Sequence, residues 1–187
     1  DTDRSRGLGD VYKRQMQNNT VAESFKGSMD SYKEIVLGTI MDDSVQNYCR
    51  QVQKNELKTA DIDAVYSKLE NLNNMYESLN FASIVSSDYK SYYYRGKGSL
   101  SVTQFEEVYP QAYERSKYAQ KGTLKVSYNN DYYKGNRYTL SLYYPLYDTR
   151  KVSDARGLLC MNFDDPAVQR MLAVGDLSLI HISEPTR

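Results

Sequence analysis

Leu140-Ser141-Leu142-Tyr143-Tyr144-Pro145-Leu146-Tyr147-Asp148, followed after a polar loop by Gly157-Leu158-Leu159-Cys160-Met161-Asn162-Phe163-Asp164, is the stretch on which the fold turns. From Arg137 to Tyr147 the chain alternates with a period of two. Tyr138, Leu140, Leu142, Tyr144 and Leu146 fall on one side, and Thr139, Ser141, Tyr143 and Tyr147 on the other. Successive side chains of a strand point to opposite faces, so this pattern predicts a strand with one apolar face. Gly157 to Phe163 is apolar almost throughout, which predicts a strand covered on both sides at the centre of a sheet.

Working outward, three more strands are expected. Gly122 to Tyr128 carries Leu124, Val126 and Tyr128 on one face, and Asn129-Asn130-Asp131 and Lys134-Gly135-Asn136 supply turn residues after it. Upstream, Phe81 to Val85 and Lys90 to Arg95 read as a hairpin around Ser86-Ser87-Asp88, ended by Gly96 and Gly98. Between the hairpin and the later strands, Thr103-Gln104-Phe105-Glu106 has capping-box spacing and opens a helical stretch that Pro110 breaks or kinks before Tyr118. Asp165-Pro166 caps a short final helix through Leu172.

The first third is helical. From Asn18 to Leu57, Val21, Phe25, Met29, Tyr32, Val36, Ile40, Val45, Tyr48 and Val52 recur at steps of three to five without a proline, which predicts one long helix. Such a helix would measure about 60 Å, longer than a small domain is wide, so its first half is expected to project or to pack on a second copy. After a polar break at Lys54 to Ala60, with Asp61 as N-cap, a second helix carries Ile62, Val65, Tyr66, Leu69, Leu72, Tyr76 and Leu79 on one stripe. The strand connections are short or carry one helix. The economical solution is an α+β domain: a long N-terminal helix, then an antiparallel sheet with helices on one face.

Composition sets the outer bounds. The chain has 187 residues, with 24 basic and 24 acidic side chains. That length suits one core, and no run approaches the roughly 20 apolar residues of a membrane helix. A neutral balance excludes a general nucleic-acid binder, which needs a basic surplus to displace counterions. Lys90 and Tyr92-Tyr93-Tyr94-Arg95 do interleave bases with aromatics, but strand alternation sends Tyr93 away from Tyr92 and Tyr94. With 19 Tyr against 4 Phe and no Trp, the aromatic content is amphipathic, as suits strands and a wet binding face.

Both ends are set apart. Leu177 to Arg187 and Ser5 to Gln15 resemble the two reading directions of a translated transposase mosaic-end sequencing adapter. The expected organisation is therefore 1–15 non-native, 16–57 long helix, 58–176 sheet-bearing module and 177–187 non-native. His181, the single histidine, lies in the second of these ends. The remainder then offers no Ser-His-Asp or Cys-His arrangement and no histidine metal site.

Other catalytic signals are weak. The carboxylate pairs Asp42-Asp43, Glu106-Glu107 and Asp164-Asp165 are adjacent in sequence and fall on helices or at helix starts, where solvation and the helix dipole account for them. Gly96-Lys97-Gly98 is too short for a phosphate loop. Neither catalysis nor a cofactor is expected. Cys49 and Cys160 fall in apolar patterns, the setting of buried thiols. A disulfide between them requires Cα atoms within about 7 Å.

The order of elements, with Ile40-Met41-Asp42-Asp43-Ser44-Val45, Ile84-Val85-Ser86-Ser87-Asp88-Tyr89 and the two runs quoted first, resembles the Cache family of extracytoplasmic PAS-like sensor domains in bacterial membrane receptors. Within it, the distal module of YesM-type histidine kinases is most similar. The likeness covers about residues 20 to 173. Where amino-acid-binding members carry an Arg-x-Trp-Tyr cluster, this chain reads Phe105-Glu106-Glu107-Val108-Tyr109-Pro110, so the resemblance does not extend to an amino-acid ligand.

The resemblance implies a ligand cavity on one face of the sheet, bordered by the central hairpin, the middle helix and the later strands. Its expected lining is Tyr92, Tyr94, Tyr109, Tyr113, Arg115, Tyr128, Arg137, Tyr143 and Asp148, rings supplying contact area and a charged group setting orientation. It further implies a non-enzymatic sensor of an unidentified small molecule on the extracytoplasmic side of the cell membrane, most like that of a two-component histidine kinase, with membrane attachment through flanking helices. A homodimer seam is expected through Val21, Phe25, Met29 and Tyr32. Alternatives are a carbohydrate-binding or adhesive module with an open aromatic platform, or the sensor of a chemoreceptor or diguanylate cyclase.

Overall fold

A computed structural model describes residues 2–86, 92–96, 123–128, 138–150, 155–164, 166 and 169–170, with side chains over 15–86, 93–96, 140–150, 155–164, 166 and 169–170. The element order is α1 (Thr2–Ile40), α2 (Asp43–Lys54), α3 (Thr59–Met75), β1 (Leu79–Ser86), β2 (Tyr92–Gly96), β3 (Thr123–Tyr128), β4 (Tyr138–Leu146) and β5 (Gly157–Phe163). Pro166, Gln169 and Arg170 are helical. The expected middle helix after Thr103 lies outside the described residues.

The single long helix is corrected to two. Asp42 adopts an extended conformation (φ −64°, ψ 138°), and its side chain accepts the Ser44 N–H, capping a new helix. The only five-residue step in the apolar pattern, Ile40 to Val45, marks the break. Asn55, left-handed at φ 57°, ends α2. Val36 from α1 and Val45, Tyr48 and Cys49 from α2 enter the same core, so the periodicity reads through the interruption. Upstream, α1 runs on through residues 5–15.

Two further boundaries move. Asp61 is not the N-cap of α3 but its third residue: Lys58 occupies the cap, and its N–H donates to Asp61 Oδ2 at 3.0 Å. Leu79, expected on the helical stripe, instead opens β1 and still reaches the same core.

The five strands form one antiparallel sheet in the order β2-β1-β5-β4-β3, with β5 at the centre and buried at every position. Cα partners run Tyr94–Ser83–Cys160–Tyr143–Thr123 straight across it. Gly157, paired with Ser86 and Leu146, sits where an added Cβ would lie 2.4 Å from the Val85 carbonyl oxygen. The strands approach so closely there that only glycine fits.

The two faces differ. One carries Leu79, Ala82, Ile84, Tyr93, Leu140, Leu142, Leu146, Leu159, Met161 and Phe163, and the three helices cover it with Tyr32, Val36, Val45, Tyr48, Val65 and Leu69. Tyr32 of α1 stacks on Phe163 with ring centroids 3.9 Å apart. Tyr93 meets Tyr48 of α2 and Tyr66 of α3 edge-on, both at 5.6 Å. The edge strand β2 is fastened further by Arg95, whose guanidinium lies 4.0 Å over the Tyr66 ring and whose carbonyl accepts from Asn73 Nδ2.

This packing corrects the expected dimer seam. Met29 and Tyr32 are 8% and 5% exposed, and Phe25 packs half-buried against the same core. They serve the chain's own helix-on-sheet contact. Between Gln15 and Ser28, by contrast, α1 has no buried side chain.

Candidate functional site

The other face of the sheet is buried without being wholly apolar. It carries Phe81, Ser83 and Val85 from β1, Tyr94 from β2, Ser141 and Tyr143 from β4, and Leu158, Cys160 and Asn162 from β5. Tyr143 is 1% exposed, and Ser83, Cys160 and Asn162 are fully covered. Polar atoms at this depth need partners. Asn80 Nδ2 donates to Asn162 Oδ1 at 2.9 Å, and Asn162 Nδ2 donates to Ser141 Oγ at 2.8 Å, a chain across β1, β5 and β4. A register shift between Leu79 and Phe81 places Asn80 there, as a β-bulge does when it re-aims a side chain. Tyr94 is half-buried, its ring 5.5 Å from that of Phe81. This face carries hydroxyl, amide and aromatic groups, the side-chain types that hold a small molecule by hydrogen bonds and ring contact.

Of the predicted ligand residues, Tyr94 and Tyr143 are brought to this one face, in a single row with Ser83 and Cys160 between them. Tyr92 pairs with Val85, two positions from Tyr94 and so in phase with it. Tyr128 pairs with Tyr138, in phase with Leu140 and Leu142 rather than with Tyr143. Asp148 is not brought to the group: it lies beside α2, near enough to Cys49 to raise that thiol, and its Oδ1 accepts the Arg150 N–H. Tyr109, Tyr113, Arg115 and Arg137 lie outside the described residues.

Ser83, Asn80, Asn162 and Ser141 were absent from the expected lining. Strand parity could have found Ser141, which alternates with Tyr143, and a lone asparagine in the apolar run of β5 was the signal for Asn162. Nothing in the sequence indicated the bulge at Asn80. Cys160 and Cys49 are both buried, Cys160 on one face of the sheet and Cys49 in the helix layer over the other, and no disulfide joins them.

A separate groove of about 330 Å³ lies between α1 and α3, lined by Ser31, Glu34, Gly38, Lys68, Asn71 and Met75 among others. It belongs to the helical layer and touches none of the predicted ligand residues. Lys68 is already paired with Asp42 at 2.8 Å.

Compared with solved structures, the chain superimposes on the sensor domain of the V. cholerae histidine kinase DctB with a TM-score of 0.60 over 85% of this chain and 57% of that one, at 14% identity. The chain shares its α+β fold with that domain. The ligand-binding domain of the Pseudomonas aeruginosa PAO1 amino-acid chemoreceptor PctC, solved with GABA, matches with a TM-score of 0.55 over 93% of this chain and 66% of that one, at 10% identity. The chain thus spans under two thirds of the length of either sensor domain. No family model matches the sequence, and no curated protein does. No described helix is long and apolar enough to cross a membrane.

Proposed function

We propose that this chain is the extracytoplasmic ligand-sensing part of a bacterial transmembrane receptor, and that its ligand is a small molecule held against the Tyr94–Tyr143 face of the sheet. One observation carries the reading: helices cover one face with an apolar core, while the opposite face is a buried floor in which Tyr, Ser, Asn and Cys side chains stand among Phe81, Val85 and Leu158. The likeness of fold to a histidine-kinase sensor domain and to a chemoreceptor ligand-binding domain supports it. The output is that of a two-component histidine kinase of the YesM type, with a chemoreceptor as the second reading, favoured by the PctC likeness. An open aromatic platform of the adhesive kind fits poorly, because Tyr93 and Tyr143 are 8% and 1% exposed. Two copies would associate along α1 through Val21 and Phe25, which sedimentation of the whole chain tests directly.

A thermal-shift screen against amino acids, organic acids, purines and oligosaccharides tests the ligand claim. A compound at a hundred times its Kd adds about 2.7 kcal/mol, a rise of several degrees. The shift is expected to be lost in Tyr94→Ala and in Arg137→Ala. Cooperative melting with no shift from any compound class would remove the small-molecule reading and leave the fold untouched.

A further inference from the structure

The inward side chains of α2 reach different parts of the molecule, and Gln46 reaches the most. It is 4% exposed. Its Nε2 donates to the carbonyl of Ile40, the last residue of α1, at 2.8 Å, and to the carbonyl of Tyr147, just past β4, at 3.0 Å. Its Oε1 accepts from the N–H and the hydroxyl of Thr149, both at 3.0 Å. Two donors and two lone pairs are the full capacity of an amide, and all four are engaged. Three of those bonds hold the segment 147–149, about a hundred residues away in sequence. The fourth goes to a carbonyl that helix geometry leaves without an intrahelical partner.

We propose that Gln46 is the coupling residue of this domain: its amide passes a displacement of the turn after β4 to the C-terminal end of α1. A buried side chain held at four points cannot follow one partner without breaking or dragging the others. Leaving a buried amide group or carbonyl unpaired is costly, so dragging is favoured. The end of α1 then moves with the turn, and the helix carries that movement as one element. Position supports the role, because α2 also touches the edge strand β2 on the helix-covered face. Two residues from Gln46, Tyr48 meets Tyr93 edge-on at 5.6 Å, and Tyr94, next in β2, faces the candidate site. The purpose of the coupling rests on the sensor reading, but its test does not.

Hydrogen exchange on the whole chain without ligand decides it. The reporters are the amides of Met41 and Asp42, bonded to the Leu37 and Thr39 carbonyls at the end of α1. Thr149→Pro removes the N–H and the hydroxyl that Gln46 accepts from. It is expected to speed exchange at Met41 and Asp42 by about fivefold or more, the effect of one lost hydrogen bond. In a Gln46→Met background the same change should add nothing, since non-additivity separates transmission from two independent weakenings. An equal acceleration in both backgrounds, or none in the wild type, overturns the proposal. Should Gln46→Met not fold, Gln46→Glu keeps the acceptor half and removes the donors at neutral pH. The Thr149 amide should then stay protected while Met41 and Asp42 exchange faster, and wild-type protection at Met41 and Asp42 overturns the proposal equally. A failed ligand screen leaves this result unaffected, and a failed exchange experiment leaves the ligand site standing.

Discussion

At Asp42 the chain leaves one helix and enters the next, and its carboxylate is held from both sides. Oδ1 accepts the Ser44 N–H at 2.9 Å and Oδ2 meets Lys68 Nζ at 2.8 Å. Burial pushes this carboxyl up, but Lys68 and Ser44 together outweigh it and leave the group below its ordinary value of 3.8. A lowered carboxylate stabilises the fold above its unfolded pKa, and that contribution is lost as pH falls through the folded value. Asp42→Ala is therefore expected to cost about 1 kcal/mol at neutral pH as a lost cap. In urea melts, the gap to wild type should narrow as pH drops from about 5 towards about 2. Cys49 behaves in the opposite sense. Burial first, and Asp148 second, push its thiol up to about 12, with Arg50 and Arg156 opposing. With Cys160 buried as well, neither cysteine should react with a thiol reagent at pH 8 until the chain is unfolded. At Gly157 the constraint is steric. Gly157→Ala forces strand backbone apart at the sheet centre and should destabilise by about 2 kcal/mol, measured by denaturant melts.

At the scale of elements, β5 is the piece on which the others assemble. It pairs with β1 and β4, receives Tyr32 of α1 on Phe163, and anchors the Asn80–Asn162–Ser141 chain on its other side. Asn162→Ala strands the Asn80 amide at depth, and should cost about 2 kcal/mol in the same melts. Much of this level was legible in the sequence. The alternation at Leu140 to Leu146 and the apolar run at Leu158 to Phe163 placed both strands, and put β5 at the centre, because period and burial are local consequences of residue type. Helix boundaries were less legible. A short break between two helices that serve one core leaves the apolar spacing almost intact, so Asp42 showed only as one five-residue step. Asp61 misled because an aspartate at the third helical position and one at the cap satisfy the same free N–H groups from neighbouring places.

For the molecule as a whole, stability should fall away from the central strand. Amides of β5 are expected to exchange only through global unfolding, and those of α1 between Gln15 and Ser24, where no side chain is buried, should exchange fastest. Protection at those α1 amides matching β5 would place that stretch of α1 in a further packed contact. The chain's own sequence determined the class of fold and the five described strands with their apolar faces. Each follows from which residue types recur at which period. Tertiary structure alone decided the rest. Tyr94 and Tyr143 share a face because register across β1 and β5 aligns them, whereas Asp148, a few residues beyond Tyr143, turns to α2 instead. Met29 and Tyr32, apolar and evenly spaced, were equally suited to a partner chain or to the home sheet, and the stacking of Tyr32 on Phe163 assigned them to the sheet. Gln46 shows the limit most clearly. A polar residue in a helix reads as solvent-facing, and only the fold that brings Tyr147 and Thr149 against α2 gives its amide four buried partners.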